Sequence, residues 1–176
     1  MSEAEADTRG SPFWRFSLRF YRMPGVADAC IALQDEAGVD VNLLLFLLWN
    51  AHMDRVLSRA DVEALEGRVA GWRERVVIPL REMRRQLKSS PALVEKGAAE
   101  AFRTRIKQVE LEAERLQQES LFALAESSPL GQPALSPEEA ARDNVLAYQA
   151  MKGSTFPAAA LGTVFSAFEE LAARAD

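Results

Sequence analysis

The stretch Val39-Asp-Val-Asn-Leu-Leu-Leu-Phe-Leu-Leu-Trp49 is the part of the sequence that decides the fold. Asp40 belongs to the residue types that cap helices, and a run of large apolar side chains follows it, interrupted only by the amide of Asn42. A helix of this composition is apolar on nearly every side. We therefore expect this helix to be buried by its neighbours and to anchor the fold.

Helical spacing of apolar residues also dominates the sequence on both sides of this stretch, and no run alternates as a strand would. Ser11-Pro12 predicts the start of a first helix, and Pro24-Gly25 predicts its end. Gly38 is expected to end a second helix just before the buried one. The sequence therefore places two short helices ahead of the anchoring helix.

Two long apolar stripes follow, over residues 62–87 and 102–123, with side chains at steps of three and four. They predict two helices of similar length that pack as an antiparallel hairpin. Trp72 is expected to be buried as the largest residue of its stripe. Pro79 should kink the first of these helices, because it removes one backbone hydrogen bond.

The expected fold class is all-α, a single-domain helical bundle of six or seven helices with a long antiparallel helix pair. Ser136 and Glu139 form a predicted capping box that opens the C-terminal part. The predicted organisation is a disordered tail over 1–10, a helical core over 11–126, a Pro/Gly linker over 127–136 and a C-terminal helical pair over 137–176 packed on the core.

Composition places the chain among soluble globular proteins. The sequence has 176 residues, of which 48% are hydrophobic and 27% charged, and a formal net charge of −5. The unbroken apolar run Leu43–Trp49 is too short to span a bilayer, which needs about 20 residues. The first ten residues lack the basic start and apolar centre of a signal peptide. With a single cysteine that excludes an internal disulfide framework, these features predict a cytoplasmic protein.

Catalytic chemistry finds little support in the sequence. Cys30 and His52 are the single thiol and the single imidazole, and a Cys–His nucleophile pair needs both. Cys30, however, shares a helical face with apolar residues, which favours the simpler interpretation that it packs as a small hydrophobe. We therefore predict no catalytic residue and no cofactor, and the sequence leans against an enzyme without excluding one.

Metal chemistry finds no better support. One histidine cannot supply the paired Glu-x-x-His ligands of a carboxylate metal site. Glu110 and Glu114 share a helical face, as two carboxylate ligands would. The nearby Arg103, Lys107 and Arg115 favour a solvated charge ladder instead. We predict no metal ligand.

A small-molecule pocket is one hypothesis that the sequence supports. Asn42 and Trp49 share a helical face at a spacing of seven, and with Trp14 and Tyr21 they could line a pocket that has few polar groups in an apolar wall. The simpler interpretation leaves Asn42 near solvent in the first turn of its helix, with the aromatic residues at the edge of the core.

A concentration of positive charge is the other feature that points to a function. Residues 81–107 hold eight Lys and Arg against three Glu, which gives 8 − 3 = +5 and leaves −10 for the rest of the chain. Folding the two long helices as a hairpin would bring this charge to one end. The predicted anion-binding residues are Arg81, Arg84, Arg85, Lys88, Arg103, Arg105 and Lys107.

The leading hypothesis is therefore a non-enzymatic interaction module whose basic end docks an anionic partner, either an acidic protein surface or RNA. The alternative is a small-molecule binding protein or enzyme that uses the pocket. A solvated helical face is the simplest account of the charge. Reversal of Arg84, Arg85 and Lys88 to Glu is expected to abolish partner capture with little effect on stability.

Several short motifs resemble a domain-of-unknown-function family of bacterial, mainly proteobacterial, conserved proteins. The first group is Phe13-Trp14, Ser17, Tyr21, Pro24-Gly25-Val26, Cys30, Leu33-Gln34 and the run from Asp40 to Leu44. The second group is Trp72, Pro79-Leu80-Arg81, Arg84, Leu87-Lys88 and the run from Glu110 to Arg115. The resemblance covers about residues 13–126. It implies a cytosolic all-helical protein and transfers no catalytic residue.

Overall fold

Seven helices make up most of the residues that the computed structural model describes, which are 10–88, 95–128 and 130–173. They are α1 (Pro12–Tyr21), α2 (Val26–Ala37), α3 (Val41–His52), α4 (Arg59–Trp72, continued by a π-helical turn Arg73–Val77 and by Ile78–Lys88), α5 (Lys96–Ser127), α6 (Pro137–Lys152) and α7 (Ala158–Ala173). Strands β1 (Arg55–Val56) and β2 (Gln132–Pro133) form one short antiparallel pair. The all-α prediction and the predicted number of helices are confirmed.

The helix ends follow local chemistry. The Ser11 hydroxyl accepts a hydrogen bond from the backbone N–H of Trp14 at the start of α1. Asp40 accepts one from the N–H of Asn42 at the start of α3, as predicted. Gly38 ends α2 with a φ of 61°, a left-handed conformation that favours glycine. These signals set where the chain turns between α1, α2 and α3.

Helix α3 lies at the centre of the core, as its composition predicts. Every residue from Asn42 to Leu48 is buried, together with Asn50 and Ala51. Helix α6 packs extensively along it, and α1 and α5 cover other faces. The largest side chain contributed by α6 is Tyr148, which is 1% exposed. The C-terminal helices therefore share one core with the N-terminal ones.

The predicted helical hairpin is present in the second half of α4. Ile78–Lys88 packs along α5, whereas the first half of α4 packs mainly against α6. The prediction that Trp72 is buried is wrong, because this side chain is 39% exposed. Its indole N–H donates to the carbonyl of Ala113 at 3.0 Å, which keeps the ring at the edge of the helix pair. The spacing therefore identifies the stripe but not how far each of its side chains is covered.

Pro79 is accommodated by a change of helix type. A π-helical turn over Arg73–Val77 precedes it, in which the N–H of Ile78 donates to the carbonyl of Arg73 five residues back. A proline in a regular α-helix has no N–H to donate and presses on the carbonyl four residues earlier. The wider turn relieves this crowding, so the hydrogen-bonded helix continues past Pro79.

The Pro/Gly linker predicted at 127–136 is held against the rest of the molecule where the structure describes it. β2 pairs with β1, and the guanidinium of Arg55 donates to the carbonyls of Leu130 and Gly131, both at 2.8 Å. The predicted tail at 1–10 lies outside the described residues except for Gly10. No helix in the described part of the chain is both long enough and apolar enough to cross a bilayer.

Burial predicts unequal contributions of two apolar residues to stability. Leu47→Ala should lower the free energy of unfolding by about 2–5 kcal/mol, because Leu47 is fully buried in α3 and its loss leaves a cavity. Trp72→Ala should cost about 1–2 kcal/mol, since much of the ring already faces solvent. Denaturant unfolding of both variants checks this order. A larger loss for Trp72→Ala would contradict it.

Candidate functional site

A cleft of about 690 Å³ separates α1, α2 and α3 from the hairpin of α4 and α5. The wall from α1, α2 and α3 is largely apolar, with Trp14, Leu18, Ala27, Ile31, Val41 and Leu45, and the hairpin side adds Leu111 of α5. The other wall carries positive charge, from Arg81, Arg84, Arg85, Lys88, Arg103 and Lys107. Trp14, Tyr21 and Asn42 of the predicted pocket thus meet six of the seven predicted basic residues in one space.

Two of the predicted site residues do not line this cleft. The Trp49 ring packs against Phe13 and Phe122, with ring centroids 5.7 and 5.6 Å apart, in an aromatic cluster of the core. Arg105 places its guanidinium over the ring of Phe102, 5.6 Å from the centroid. Trp49 is therefore a packing residue, and Arg105 is an exposed residue outside the cleft lining.

Asn42 is a buried part of the cleft, and the interpretation that left it near solvent is wrong. Asn42 is 6% exposed, and its side-chain oxygen accepts a hydrogen bond of 2.8 Å from the amide of Gln118 on α5. Ser17 of α1 lies in the same region and is 2% exposed. The inner end of the cleft is thus formed by uncharged polar side chains from α1, α3 and α5.

Ion pairs between α4 and α5 occupy the middle of the cleft wall. Arg81 donates to Glu114 at 2.8 Å, and Arg84 donates to both carboxylate oxygens of Glu110. Glu110 is 5% exposed, so the charge ladder predicted along α5 is wrong for this residue: its partners come from α4. The bond to Glu110 raises the pKa of Arg84. Burial raises the pKa of Glu114, and the neighbouring Arg81 opposes this shift.

The outer end of the cleft carries the basic side chains that are not held in the buried ion pairs. Arg85 pairs with Asp35 across a gap of 3.0 Å, and Arg103 pairs with Glu100 at 2.7 Å, both near solvent. Lys88 and Lys107 have no ion-pair partner among the residues that the structure describes. Both lysines are exposed, so their charges are open to solvent and not held in an ion pair within the described part of the chain.

These pairs change the expected effect of the charge reversal. Arg84→Glu would place a second carboxylate beside the buried Glu110, which should destabilise the fold. The triple reversal of Arg84, Arg85 and Lys88 contains this change, so we now expect it to lower the stability of the fold. Substitution of Lys88 and Lys107 removes charge without breaking a buried pair.

Tyr21 gives the cleft a neutral hydrogen-bonding group. Its side chain is 38% exposed, and burial of the hydroxyl, reinforced by the nearby Cys30 and Glu114, raises its pKa to about 12. The phenol therefore stays protonated near neutral pH and can donate a hydrogen bond.

A buried polar network behind the cleft was not predicted from the sequence. Asp40 accepts hydrogen bonds from Arg73 of α4 at 3.1 Å and from Gln117 of α5 at 2.7 Å. The N–H of Asp40 donates to the hydroxyl of Tyr148 on α6 at 2.9 Å. Arg73 also binds Glu66 through two hydrogen bonds of 2.6 and 2.8 Å. The sequence predicted only the capping role of Asp40 in this network, and it gives no local signal for the contacts with Arg73, Gln117 and Tyr148.

Cys30 and His52 do not form a catalytic pair. Cys30 is fully buried, and burial raises its pKa to about 12, so the sulfur remains a thiol. The ring of His52 lies 5.5 Å from that of Phe16, and burial lowers the pKa of the imidazole. The interpretation of Cys30 as a packing residue agrees with this environment.

The fold and the cleft define a small all-α protein with an amphipathic cleft. Residues 12–121 match the family described as "Protein of unknown function (DUF2390)", and the chain belongs to this family. No curated protein and no solved structure matches the chain. The matched range contains every residue that lines the cleft, whereas α6 and α7 lie beyond it. The cleft is thus built within the part of the chain that the family shares.

The buried network predicts that removal of the Asp40 carboxylate lowers stability by a large amount. Asp40→Ala should lower the free energy of unfolding by about 3 kcal/mol, because Arg73 and Gln117 lose a buried partner and α3 loses its cap. Asp35→Ala is the matched control, since it removes an exposed ion pair worth less than about 1 kcal/mol. Denaturant unfolding measures both. Equal losses would show that the Asp40 network does not hold the helices together.

The single cysteine provides a test of core access. Cys30 should react with a disulfide reagent such as Ellman's reagent at pH 8 only as the protein unfolds, because the thiol is buried and its pKa of about 12 leaves little thiolate. The reaction is followed by absorbance with and without denaturant. Native labelling as fast as that of the unfolded chain would contradict the buried position.

Proposed function

We propose that this protein binds a small amphipathic anion in the cleft between α1–α3 and the α4–α5 hairpin. One observation carries the proposal: an apolar wall and a set of cations line the same space of about 690 Å³. Ligand sites in proteins commonly measure about 300–1,000 Å³ and combine apolar walls with a few polar groups. The apolar body of the ligand would lie against Trp14, Leu18 and Ile31.

The anionic group would lie at the outer end, near Lys88 and Lys107. Arg81 and Arg84 are already neutralised by Glu114 and Glu110, so a ligand gains little from them. The two lysines lack such partners in the described part of the chain and attract a carboxylate, phosphate or sulfonate without first breaking an ion pair. This arrangement supports the small-molecule hypothesis over the docking of a large partner.

Docking of RNA or an acidic protein on the basic end is the second candidate. It is favoured by the exposed side chains next to the charge: Phe102 and Met83 are each 44% exposed, and Arg105 covers the Phe102 ring. It is weakened by the ion pairs that use four of the seven predicted basic residues. We place either activity in the cytoplasm of a bacterial cell, as the family resemblance implies.

The proposal is tested with dodecanoate and the fluorescent sulfonate 8-anilinonaphthalene-1-sulfonate. The wild type should bind the dye, and dodecanoate should displace it from the cleft. Lys88→Ala combined with Lys107→Ala should weaken dodecanoate binding about tenfold, because each lysine contributes a charged hydrogen bond or ion pair. Binding should also weaken as salt rises, since exposed charges are screened beyond about 8 Å at physiological ionic strength.

The matched control is Lys96→Ala combined with Arg105→Ala. This control also removes two positive charges, but both come from positions on α5 that do not line the cleft. Its dodecanoate affinity should therefore stay close to that of the wild type. Equal weakening in both double variants would show that general charge attraction, not the cleft, determines binding. Tight binding of a fluorescein-labelled single-stranded RNA with no dodecanoate binding would favour the docking candidate.

A further inference from the structure

The side of the α4–α5 hairpin that faces away from the cleft carries exposed apolar side chains, and we call this side the back face. Its members are each 39–52% exposed, and none of them lines the cleft: Trp72, Met83, Phe102, Val109 and Leu116. Single exposed apolar residues are normal on a protein surface. Several on two neighbouring helices are not, because an apolar patch of this kind commonly marks contact with another protein.

The register of the hairpin places the two helices' contributions on one side. Arg84 and Glu110 pair between the helices, and the residue that follows each of them lines the cleft. The residues that precede them are Met83 and Val109, which do not line it. Residues two apart in sequence point about 200° apart around a helix. Met83 and Val109 therefore both project away from the cleft.

On α5 the exposed apolar side chains recur every seven residues, at Phe102, Val109 and Leu116. Seven residues are nearly two full turns, so the three side chains form a line about 21 Å long. This repeat is typical of the seam along which two helices pack. Ala113 lies on the same side of α5, and its carbonyl accepts the indole N–H of Trp72, which connects α4 to the line.

The charges beside this line indicate which partner fits it. Arg105 and Glu112 are seven residues apart, and each follows a member of the line by three residues. Both are exposed: the Arg105 guanidinium lies over the Phe102 ring, and Glu112 pairs with an arginine of its own helix at 2.7 Å. A second copy of α5 in parallel orientation would place like charges together. An antiparallel copy centred on Val109 would place unlike charges together.

We propose that this protein forms a homodimer in which the back faces of two hairpins pack together, with α5 of one copy antiparallel to α5 of the other. The two-fold axis passes near Val109. Phe102 then packs against the partner's Leu116, and Arg105 pairs with the partner's Glu112, so each contact occurs twice. A second copy suits this face because the line and its flanking charges are complementary to themselves. The cleft lies on the other side of the hairpin and stays open in the dimer.

Sedimentation equilibrium of the full chain over a range of protein concentrations tests the proposal. The wild type should reach twice the chain mass of 19.5 kDa. Val109→Glu should weaken the dimer about a hundredfold, because it places two carboxylates against each other in an apolar contact. Leu111→Glu is the matched control: Leu111 is an equally exposed apolar residue of α5, but it lines the cleft, so this variant should dimerise as the wild type does.

Charge reversal tests the antiparallel arrangement. Arg105→Glu and Glu112→Arg should each weaken the dimer about tenfold, because two ion pairs become two repulsive contacts. The two changes combined exchange the charges and should restore the affinity of the wild type. In a parallel dimer neither single reversal would weaken association. Circular dichroism melts establish that each variant is folded.

Each alternative outcome contradicts a defined part of the proposal. A wild type that stays monomeric over the whole concentration range would overturn the homodimer and leave the back face to a different protein. Equal loss of the dimer in Val109→Glu and Leu111→Glu would overturn the assignment to the back face. A double reversal that does not restore a dimer weakened by both single reversals would overturn the antiparallel pairing of α5.

Discussion

The hydrogen-bonded ion pair between Asp40 and Arg73 is the interaction on which the rest of the structure depends. A buried carboxylate is unfavourable unless its charge and its oxygen atoms are all engaged. Here Asp40 caps α3, pairs with Arg73 of α4 and accepts from Gln117 of α5, while its N–H binds Tyr148 of α6. Four helices therefore meet at one residue, and their relative positions are specified by directional bonds as well as by apolar packing.

The same network determines the geometry of the cleft. Asn42 follows Asp40 by two residues, and the adjacent amides of Gln117 and Gln118 bind Asp40 and Asn42, respectively. This double contact sets the register of α5 against α3, which form part of the inner end of the cleft. Arg73 begins the π-helical turn that leads into the part of α4 carrying Arg81. A change in the network would thus alter the polar inner end and the charged wall together.

The sequence predicted the elements of this fold better than their contacts. Helix caps and stops are local, so Asp40 and Gly38 could be identified from neighbouring residues alone. The charges of α4 and α5 were also recognised, because a hairpin brings both sets to one end. The partner of each charge was not, since the pairing of Arg84 with Glu110 depends on the register between two helices. The hydrogen bond from Gln118 to Asn42 is a contact across 76 residues of sequence and has no local signal.

Trp49 and Trp72 show why helical spacing was insufficient to define the site. Spacing indicates which side chains share a face but not which neighbour covers that face along its length. Seven residues correspond to about 10 Å of helix axis, which is enough to take α3 from the cleft at Asn42 to the aromatic cluster at Trp49. On α4, the stripe that is buried at Val69 is 39% exposed three residues later at Trp72.

The distribution of charge in the hairpin separates structural from accessible groups. Residues 81–107 carry an excess charge of +5, which by itself suggests strong mutual repulsion. Glu110 and Glu114 lie just beyond that range on the facing helix and neutralise Arg84 and Arg81. These pairs are shielded from solvent, so they respond weakly to salt and hold α4 against α5. Lys88 and Lys107 remain at the open end of the cleft, where their charges stay hydrated and can still attract an anion. The hairpin can therefore be held together by charge and still present a cationic end to a ligand.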